Sequence, residues 1–516
     1  MKVTKKDWKQ FFPFKEIRSQ QEDAINFAIE SFKTKTNVVL ELSPGVGKSG
    51  IAITLAKYYK NAWLLTPQKI LQTQYVNDFN WLPSVWSKES YECTARPGIN
   101  CRFGNWINTV LKTNVCDCIY TNARKNFIDN PISLTNMMYF LNNTEYTTSI
   151  TSRSLLVIDE THNLDDVITG FVSIKLNKYN LNQYNIYWKY TKNISDVVDW
   201  IQNTVVKILS NKFTKLKYEL KLSGSNGLSV KNKKLINQID YLDRYICSLN
   251  RCILYFNKNN WVMTINDNNN EYILRPLSSK YYSEQQLFKY GNKRLLMSAT
   301  ILDKDIFCDN VGLNKEDTAF LSLPSPFKKE NRQIYIQSSG SMSRKNIDKT
   351  LPIIAKNVKL LIDSNYKNKS GIIFTHTYKI ANYIANYLND SRILLHDSTN
   401  RLEIYKLHLN SKKPTILISP SLTEGIDLID DLSRFQLILK IPFPYLGDKY
   451  ITTKKDYYKG WYEWSTIKTI IQTCGRSVRH NKDYCDTIIM DSDFLFFYNR
   501  NKKMFPKWYR DSIEFI

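Results

Sequence analysis

Residues 43–49 combine two glycines, a lysine and a serine in an order that suits phosphate binding. An apolar, strand-like stretch precedes them, and an apolar stretch follows. Where such a loop opens a helix, its backbone N–H groups can bind phosphates. Lys48 would neutralise the β- and γ-phosphates, and Ser49 would ligate Mg²⁺. The first glycine of the usual pattern is replaced by Leu42, so an ordinary glycine turn is the alternative. This loop, called the P-loop below, consists of Ser43, Pro44, Gly45, Val46, Gly47, Lys48 and Ser49.

A pair of carboxylates, Asp159 and Glu160, follows an apolar run about 110 residues after Lys48. A carboxylate at the end of a buried strand is costly unless it is satisfied, and the Mg²⁺ held by Ser49 would satisfy Asp159. Glu160 could orient or deprotonate an attacking water. Together the loop and the carboxylates predict ATP hydrolysis.

Two arginines near the end of the chain could complete this chemistry. Phosphoryl transfer spreads negative charge over the γ-phosphate oxygens, and an arginine from another domain stabilises that charge when a cleft closes. Arg476 and Arg479 are three residues apart, so we expect them on one face of a helix. Two solvated arginines on a basic helix are the alternative.

Further short segments occur in a fixed order along the chain. Asp159, Glu160, Thr161 and His162 begin one of them, with Thr161 in place of an alanine. Any one segment is a weak signal, but the ordered set resembles the XPD/DinG-type superfamily 2 helicases over nearly the whole chain. The remaining segments are Arg18 with Gln21; Thr66, Pro67 and Gln68 with Gln72 and Gln74; Ser298, Ala299 and Thr300; Ser325, Pro326 and Phe327 with Asn331 and Arg332; 424–428 with 440–444; and Gln472 with Gly475, Arg476 and Arg479.

This resemblance implies an α/β fold with two RecA-like P-loop motor domains that bind Mg-ATP in their cleft. It implies that Arg18 and Gln21 read adenine, and that residues 66–74 touch the nucleic-acid backbone. It gives residues 298–300 the coupling of the ATP site to the strand. Gly425 and Asp427 would contact the nucleotide, and Gln472, Arg476 and Arg479 would act in catalysis. The implied activity is ATP-dependent DNA unwinding in the 5′→3′ direction.

Four of the nine cysteines fall within 26 residues, between two of these segments. They are Cys93, Cys101, Cys116 and Cys118. In the family this interval holds a domain built around a 4Fe-4S cluster, and four thiolates could saturate such a cluster. Cys116 and Cys118 are close together for two ligands, and Cys93 lies upstream of the expected first ligand. A Cys₄ zinc site and unligated thiols are the alternatives. The other five cysteines are interpreted as buried small residues.

A long insertion separates Glu160 from Ser298. Apolar residues at helical spacing in 197–209 and 235–253 predict two paired helices, and polar residues 266–270 predict a hairpin. By position the insertion resembles the arch domain of the family. We predict these domains: 1–92, 119–165 and 276–325 for the first motor domain; 93–118 for the iron-sulfur domain; 166–275 for the helical arch; and 326–516 for the second motor domain.

The composition favours a polyanion as the partner. The formal net charge of the 516-residue chain is +24, and counterion release would drive its binding to single-stranded DNA and DNA junctions. No apolar run is long enough to span a membrane, and no secretory signal is evident, so we expect an intracellular protein. We also expect it to be a monomer. About 40 residues precede the P-loop, so we expect no N-terminal exonuclease domain. The abundance of Asn, Lys, Ile and Tyr suggests an AT-rich genome, such as that of a phage or other virus.

Two other functions remain open at this point. The first is a DEAH-type RNA helicase, against which the four cysteines and the arch-sized insertion argue. The second is an ATP-binding scaffold that does not hydrolyse ATP, against which Glu160, Arg476 and Arg479 argue.

Overall fold

The structure is a computed structural model that describes residues 7–111, 118–223, 230–266, 268, 270–421 and 428–516. A parallel sheet of seven strands forms the core of the first domain. Its strands are β1 (Asn37–Leu42), β2 (Ala62–Thr66), β3 (Ser84–Val85), β4 (Ile132–Asn136), β5 (Arg153–Ile158), β9 (Gly291–Ser298) and β10 (Thr318–Leu323). The spatial order is β10-β1-β9-β5-β2-β4-β3. The strands β1, β9 and β5 are therefore neighbours, which brings the P-loop, Asp159 and Ser298 to one edge of the sheet.

The parts of the chain that carry this sheet also contain nine helices of the described chain, and one of them, α4 (Cys101–Leu111), packs mainly on helices of the insertion. Every residue of β1 and β2 is buried, as expected for a parallel sheet with both faces covered. The helices are α1 (Ser19–Ser31), α2 (Lys48–Tyr59), α3 (Lys69–Asp78), α4 (Cys101–Leu111), α5 (Ile119–Asp129), α6 (Met137–Tyr146), α7 (Leu164–Val172), α12 (Ser283–Gln286) and α13 (Lys304–Val311).

The insertion contains a helical pair and a small antiparallel sheet. The elements are β6 (Ile174–Asn177), α8 (Lys178–Asn182), α9 (Ile194–Trp200), α10 (Val206–Leu222), α11 (Val230–Tyr255), β7 (Trp261–Asn266) and β8 (Glu271–Pro276). A π-helical segment, Ile201–Val205, joins α9 to α10 in one continuous run. This run packs on α11, which confirms the predicted helical pair. The predicted hairpin is confirmed as β7 and β8, and β6 adds a third strand.

A second parallel sheet of seven strands forms the core of the second domain. Its order is β13-β14-β12-β15-β16-β11-β17. The short apolar segments 415–419, 437–441 and 487–491 predict buried parallel strands, and the structure has β14, β15 and β16 there. The strands are β11 (Ile334–Gly340), β12 (Gly371–Phe374), β13 (Ile393–Leu395), β14 (Ile416–Ser419), β15 (Phe435–Ile438), β16 (Asp486–Asp491) and β17 (Ile513–Phe515).

Seven helices of the described chain belong to this second domain, and two of them, α17 and α18, reach the first domain. They are α14 (Ile347–Asn365), α15 (Tyr378–Leu388), α16 (Arg401–Asn410), α17 (Lys449–Tyr457), α18 (Trp461–Cys474), α19 (Asp493–Asn501) and α20 (Lys507–Arg510). The indole Nε1 of Trp464 donates to the Ile301 carbonyl at 2.7 Å, and Lys454 Nζ lies 2.6 Å from Asp165 Oδ2. Two RecA-like domains in contact therefore confirm the predicted α/β class. Within the described ranges, no helix has the length and apolar character needed to cross a membrane.

Candidate active site

The P-loop adopts a conformation that depends on its glycines. Gly45 and Gly47 have φ angles of +82° and +88°, which residues with a side chain rarely adopt. A Cβ at Gly47 would lie 2.5 Å from Gln21 Nε2, so a side chain there would displace that amide. Gly47 caps α2, and the loop opens the helix as predicted. The buried Ser43 hydroxyl has no hydrogen-bond partner among the described residues, so the loop fits a bound phosphate that could satisfy it.

The acidic pair lies opposite the P-loop at the end of β5. Lys48 Nζ is 2.9 Å from Glu160 Oε1. Asp159 accepts hydrogen bonds from the Tyr75 hydroxyl and from the Glu160 backbone N–H, both at 2.8 Å. His162 Nδ1 lies 3.2 Å from the second Glu160 oxygen. The two carboxylates and Lys48 therefore form one polar cluster where a metal-bound phosphate would lie.

Electrostatics divide the two carboxylates. Burial would raise the pKa of Glu160, but Lys48 and His162 hold it well below its usual value. Burial and the adjacent Glu160 charge raise the pKa of Asp159. Burial lowers the pKa of Lys48, but Glu160 and Asp159 outweigh it, so the pKa lies above its usual value. Glu160 is thus the more stably ionised of the two carboxylates, and Asp159 is the one that a divalent cation would relieve most.

Two hydrogen bonds connect the acidic pair to the second domain. The His162 Nδ1 is 2.7 Å from the Ser298 hydroxyl, which belongs to the segment 298–300. Gln472 Nε2, on α18, donates to the Thr300 hydroxyl at 3.1 Å. The predicted coupling segment therefore lies physically between Glu160 and the helix that leads to the arginines.

The arginines are not on a helix, so this prediction was wrong. Helix α18 ends at Cys474 and is capped by Gly475, so Arg476 and Arg479 lie in the turn and loop beyond it. Arg476 Nε donates to the Gln472 carbonyl at 2.7 Å, which satisfies one of the open carbonyls of the last helical turn. The positive charge of Arg479 slightly opposes the rise in the Lys48 pKa that Glu160 and Asp159 cause. Both arginines nevertheless reach the cleft.

Residues of both domains line this cleft, whose volume is about 640 Å³. Arg18 also lines it and donates to the Gly45 carbonyl. Gln21 is buried beside the P-loop, with Nε2 3.5 Å from the Gly47 carbonyl. Gly425 and Asp427 lie outside the described residues. The predicted site residues that line the cleft are Arg18, Gly45, Gly47, Lys48, Ser49, Asp159, Glu160, Gln472, Arg476 and Arg479.

Comparisons with known proteins agree with this arrangement. A family model described as a helicase C-terminal domain matches residues 363–512, and one described as the res subunit of type III restriction enzymes matches residues 14–191. The ATP-dependent DNA helicase DinG of Photobacterium profundum is 27% identical over 255 residues, which are 45% of this chain and 36% of that protein. In these parts the chain is similar to superfamily 2 helicases of the XPD/DinG type.

Other matches are shorter or more distant. A regulator of telomere elongation helicase 1 homolog of Caenorhabditis elegans is 30% identical over 107 residues, covering 18% of this chain and 10% of that protein. An XPD helicase structure aligns with 98% of this chain and 100% of its own, with a TM-score of 0.66 and 16% identity. An apo XPD structure gives a TM-score of 0.62 at 15% identity over 97% and 100%. The structural matches establish the fold alone, and both named protein relatives are covered over less than two thirds of their length.

The structure describes three of the four clustered cysteines, and all three are buried. Backbone hydrogen bonds from Cys93 N to Ile99 O (2.8 Å) and from Cys101 N to Tyr91 O (2.7 Å) form a short loop. The Cys101 and Cys118 thiols are hydrogen-bonded to each other. Two adjacent thiols, with Cys93 in the same short loop, supply ligand atoms of the kind that an iron-sulfur cluster uses.

Burial and the Cys118 thiol raise the pKa of Cys101 to about 11. Burial also acts to raise the pKa of Cys118, but hydrogen bonds from Thr121 lower it below its usual value. Cys118 is therefore the more readily ionised of these two thiols. Cys116 lies outside the described residues. Among the scattered cysteines, Cys247 and Cys474 are only half-buried, so their assignment as buried residues was wrong.

The structure also corrects the role of one glutamine and adds two residues. Gln72 is buried and donates to Ser84 Oγ and Val85 O at 2.8 Å, so its amide is not available to a nucleic-acid backbone. Tyr75 and Glu41 were missed. Glu41 accepts hydrogen bonds from the backbone N–H groups of Ile301 and Leu302. The signal for Glu41 was present in the sequence, because a lone carboxylate inside an apolar strand needs partners.

Proposed function

We propose that this protein is an ATP-dependent DNA helicase that moves 5′→3′ along single-stranded DNA and unwinds duplexes at junctions. One observation carries the proposal: Lys48, the pair Asp159 and Glu160, and the loop with Arg476 and Arg479 line one cleft between two RecA-like domains. Hydrolysis is thereby built from parts of both domains, as a motor requires. The DNA helicase names of relatives and the net charge of +24 support DNA as the track.

The proposed hydrolysis uses groups that are already paired. Lys48 would exchange its contact with Glu160 for the β- and γ-phosphates, and this exchange frees a Glu160 oxygen for the attacking water. Glu160 takes a proton from that water while the water oxygen bonds to the γ-phosphorus. The bond between the γ-phosphorus and the β-phosphate oxygen breaks at the same time. Ser49 and Asp159 would hold Mg²⁺, which supplies charge neutralisation at the phosphates. Arg476 and Arg479 stabilise the charge that develops on the γ-phosphate oxygens.

The proposed motion follows from the same contacts. The P-loop of one domain and residues 475–479 of the other, here called the arginine loop, share the γ-phosphate as a ligand. Release of the γ-phosphate therefore loosens the closed cleft. The hydrogen bond between Gln472 and Thr300 keeps α18 in register with the segment 298–300 during this change. A single strand gripped by both domains would then advance as they separate.

The decisive experiment measures ATP turnover with and without single-stranded DNA. Single-stranded DNA should raise the rate of ATP turnover by the wild type. Lys48→Ala should lower that rate about 10²-fold or more, because the substitution removes phosphate neutralisation. Lys57→Ala, on the same helix, is the matched control and should remain active. Normal turnover by a folded Lys48→Ala protein would contradict the proposed site. If RNA rather than DNA stimulated ATP turnover, and if RNA duplexes rather than DNA duplexes were unwound, the protein would be an RNA helicase.

Salt dependence tests the polyanion partner separately from catalysis. Binding to single-stranded DNA should weaken steeply as salt rises, with a log–log slope of about 0.7 for each neutralised phosphate. Fluorescence anisotropy between dilute and physiological salt measures the slope, and sedimentation of the free protein tests the proposed monomer. Binding that does not respond to salt would contradict the electrostatic basis.

We further propose that Cys93, Cys101, Cys116 and Cys118 hold a 4Fe-4S cluster. Thiolates suit this cluster, which would fix a segment too short to supply a core of its own. Cys101→Ser or Cys118→Ser should abolish the brown absorbance and duplex unwinding while ATP hydrolysis stays measurable, and Cys247→Ser should be silent. An iron and zinc assay after anaerobic purification measures occupancy. Stoichiometric zinc without iron would replace the cluster by a Cys₄ zinc site, and alkylation of all four thiols in an active enzyme would exclude both.

A further inference from the structure

The ring of Phe327 lies directly against the P-loop. A Cβ built on Gly45 would lie 2.1 Å from Phe327 Cζ and 2.6 Å from Cε2, so the ring occupies the space in front of the Gly45 α-carbon. Phe327 is 7% exposed although it belongs to the irregular segment between the two domains. The loop proposed to bind phosphate therefore has an aromatic side chain packed on it.

The same ring packs against the arginine loop. Phe327, Val478 and Cys485 form a small apolar cluster of their own, and Val478 lies between Arg476 and Arg479 in the sequence. Gly475, where this loop begins, approaches the P-loop as well, since a Cβ there would lie 3.5 Å from Pro44 Cγ. Phe327 thus lies at the place where the P-loop and the arginine loop meet.

The backbone around Phe327 is attached to the second domain rather than to the first. The Asn331 carbonyl accepts from Cys485 N at 3.0 Å, and Asn331 Nδ2 donates to the Asn481 carbonyl at 2.8 Å. Arg332 Nε donates to the Phe327 carbonyl at 3.3 Å. The side chain contacts the P-loop of the first domain and Val478 of the second, and the main chain is attached to the second domain, so a displacement of the P-loop presses on a part of the second domain.

We propose that Phe327 is a positioning residue that transmits the state of the P-loop to the arginine loop. Packed apolar contacts pass displacement because they are dense and yield little. A phosphate that draws the P-loop in shifts the ring, and the ring shifts Val478 and with it the flanking arginines. The inference rests on the proposed ATP hydrolysis and adds to it the contact through which occupancy of the P-loop orders Arg476 and Arg479.

The test separates nucleotide binding from catalysis in the full-length protein. For Phe327→Ala we expect kcat to fall about tenfold or more, because small misplacements of catalytic groups are costly. The Kd of a fluorescent ATP analogue should stay within about threefold, because the groups that contact phosphate remain. Phe327→Leu should recover most of kcat. Phe497→Ala is the matched control, since Phe497 is buried in the second domain to a similar degree, at 8% exposure, in a different cluster.

Hydrogen exchange supplies a readout that a merely structural role would not change. A non-hydrolysable ATP analogue should protect both the P-loop and residues 475–479 in the wild type, but only the P-loop in Phe327→Ala. Val478→Ala, which truncates the other side of the contact, should behave like Phe327→Ala and serves if the latter does not fold. Equal protection and equal kcat in these variants and the wild type would overturn the inference. A wild type that neither binds nor hydrolyses ATP would instead overturn the proposed function.

Discussion

Two lysine–carboxylate pairs differ in their surroundings, although their carboxylates, Glu160 and Asp165, are only five residues apart in the sequence. Lys48 and Glu160 are 2.9 Å apart with side chains 14% and 22% exposed at the cleft. Lys454 and Asp165 are 2.6 Å apart with side chains 2% and 6% exposed between the two domains. In both pairs the carboxylate raises the pKa of the lysine against the effect of burial. A lysine and a carboxylate at an open cleft can exchange each other for a ligand, whereas a pair buried between two domains keeps its partners.

The sealed pair has additional partners that fix it. Asp165 Oδ1 accepts from the Ser279 N–H at 2.7 Å, and Lys454 Nζ lies 4.8 Å from the centre of the Trp461 ring. Leaving either charge alone in this interior is expensive, since a buried ion without its partner cannot recover its hydration. This asymmetry predicts opposite phenotypes for equally small changes in the two pairs.

The largest effect is expected when the sealed pair loses one charge. Lys454→Met should lower the free energy of unfolding by about 3–5 kcal/mol, because Asp165 remains buried and uncompensated. Urea denaturation followed by circular dichroism measures the change. Adding Asp165→Asn to Lys454→Met should recover at least half of the loss. A double variant no more stable than the single one would show that the ion pair is not the cause.

Breaking the open pair should act on catalysis and leave stability nearly unchanged. Glu160→Gln keeps the shape of the side chain but removes the base, so we expect turnover to fall about 10²–10³-fold. Nucleotide should still bind, because Lys48 and Asp159 remain. Parallel assays of turnover, nucleotide affinity and urea denaturation test this. Strong destabilisation by Glu160→Gln would erase the contrast with Asp165.

A buried base without a carboxylate sharpens the comparison. His408 Nε2 lies 3.0 Å from the Leu432 carbonyl and Nδ1 lies 2.8 Å from the Thr415 hydroxyl. Burial lowers its pKa to about 4. An unfolded histidine takes up a proton near pH 6.5, so the stability contributed by neutral His408 is present above that pH and is lost as the pH falls towards 4, by roughly 2–3 kcal/mol.

Urea denaturation at pH 7.5, 6 and 5 measures this loss. His408→Gln should flatten the pH dependence in that window, because no imidazole is left to titrate. His480→Gln is the control, since the His480 side chain is 46% exposed. An unchanged slope in the His408 variant would assign the acid sensitivity to other groups.

The smallest effect is expected for a pair on the surface. Lys379 Nζ and Asp348 Oδ1 are 3.5 Å apart, but their side chains are 76% and 85% exposed. Water and salt screen such a pair, so Lys379→Ala should change stability by at most about 0.5 kcal/mol. The same urea experiment applies. A loss comparable to that of Lys454→Met would mean that burial does not determine the energy of these pairs.

Local sequence patterns predicted the elements that hold the site but not all of the contacts within it. The strand before the P-loop and the three strands in the second domain were readable because apolar runs and turn residues are local signals. The arginine loop was misplaced because the spacing of Arg476 and Arg479 suits a helix, whereas Gly475 ends one. The partner of Asp165 could not be predicted, since Lys454 is 289 residues away and only the packed domains bring them together.

The π-helical segment Ile201–Val205 explains an oddity in the spacing of the insertion. Buried residues recur at intervals of four, at Val197, Ile201, Val205 and Leu209. In a regular α-helix, with about 100° per residue, twelve residues would turn Leu209 about 120° away from the face of Val197. The wider π turn absorbs one residue and reduces this offset to about 20°. The chain therefore carries one surplus residue here, and a deletion at the exposed Gln202 should be tolerated, restoring a plain helix with both halves of its apolar face still aligned.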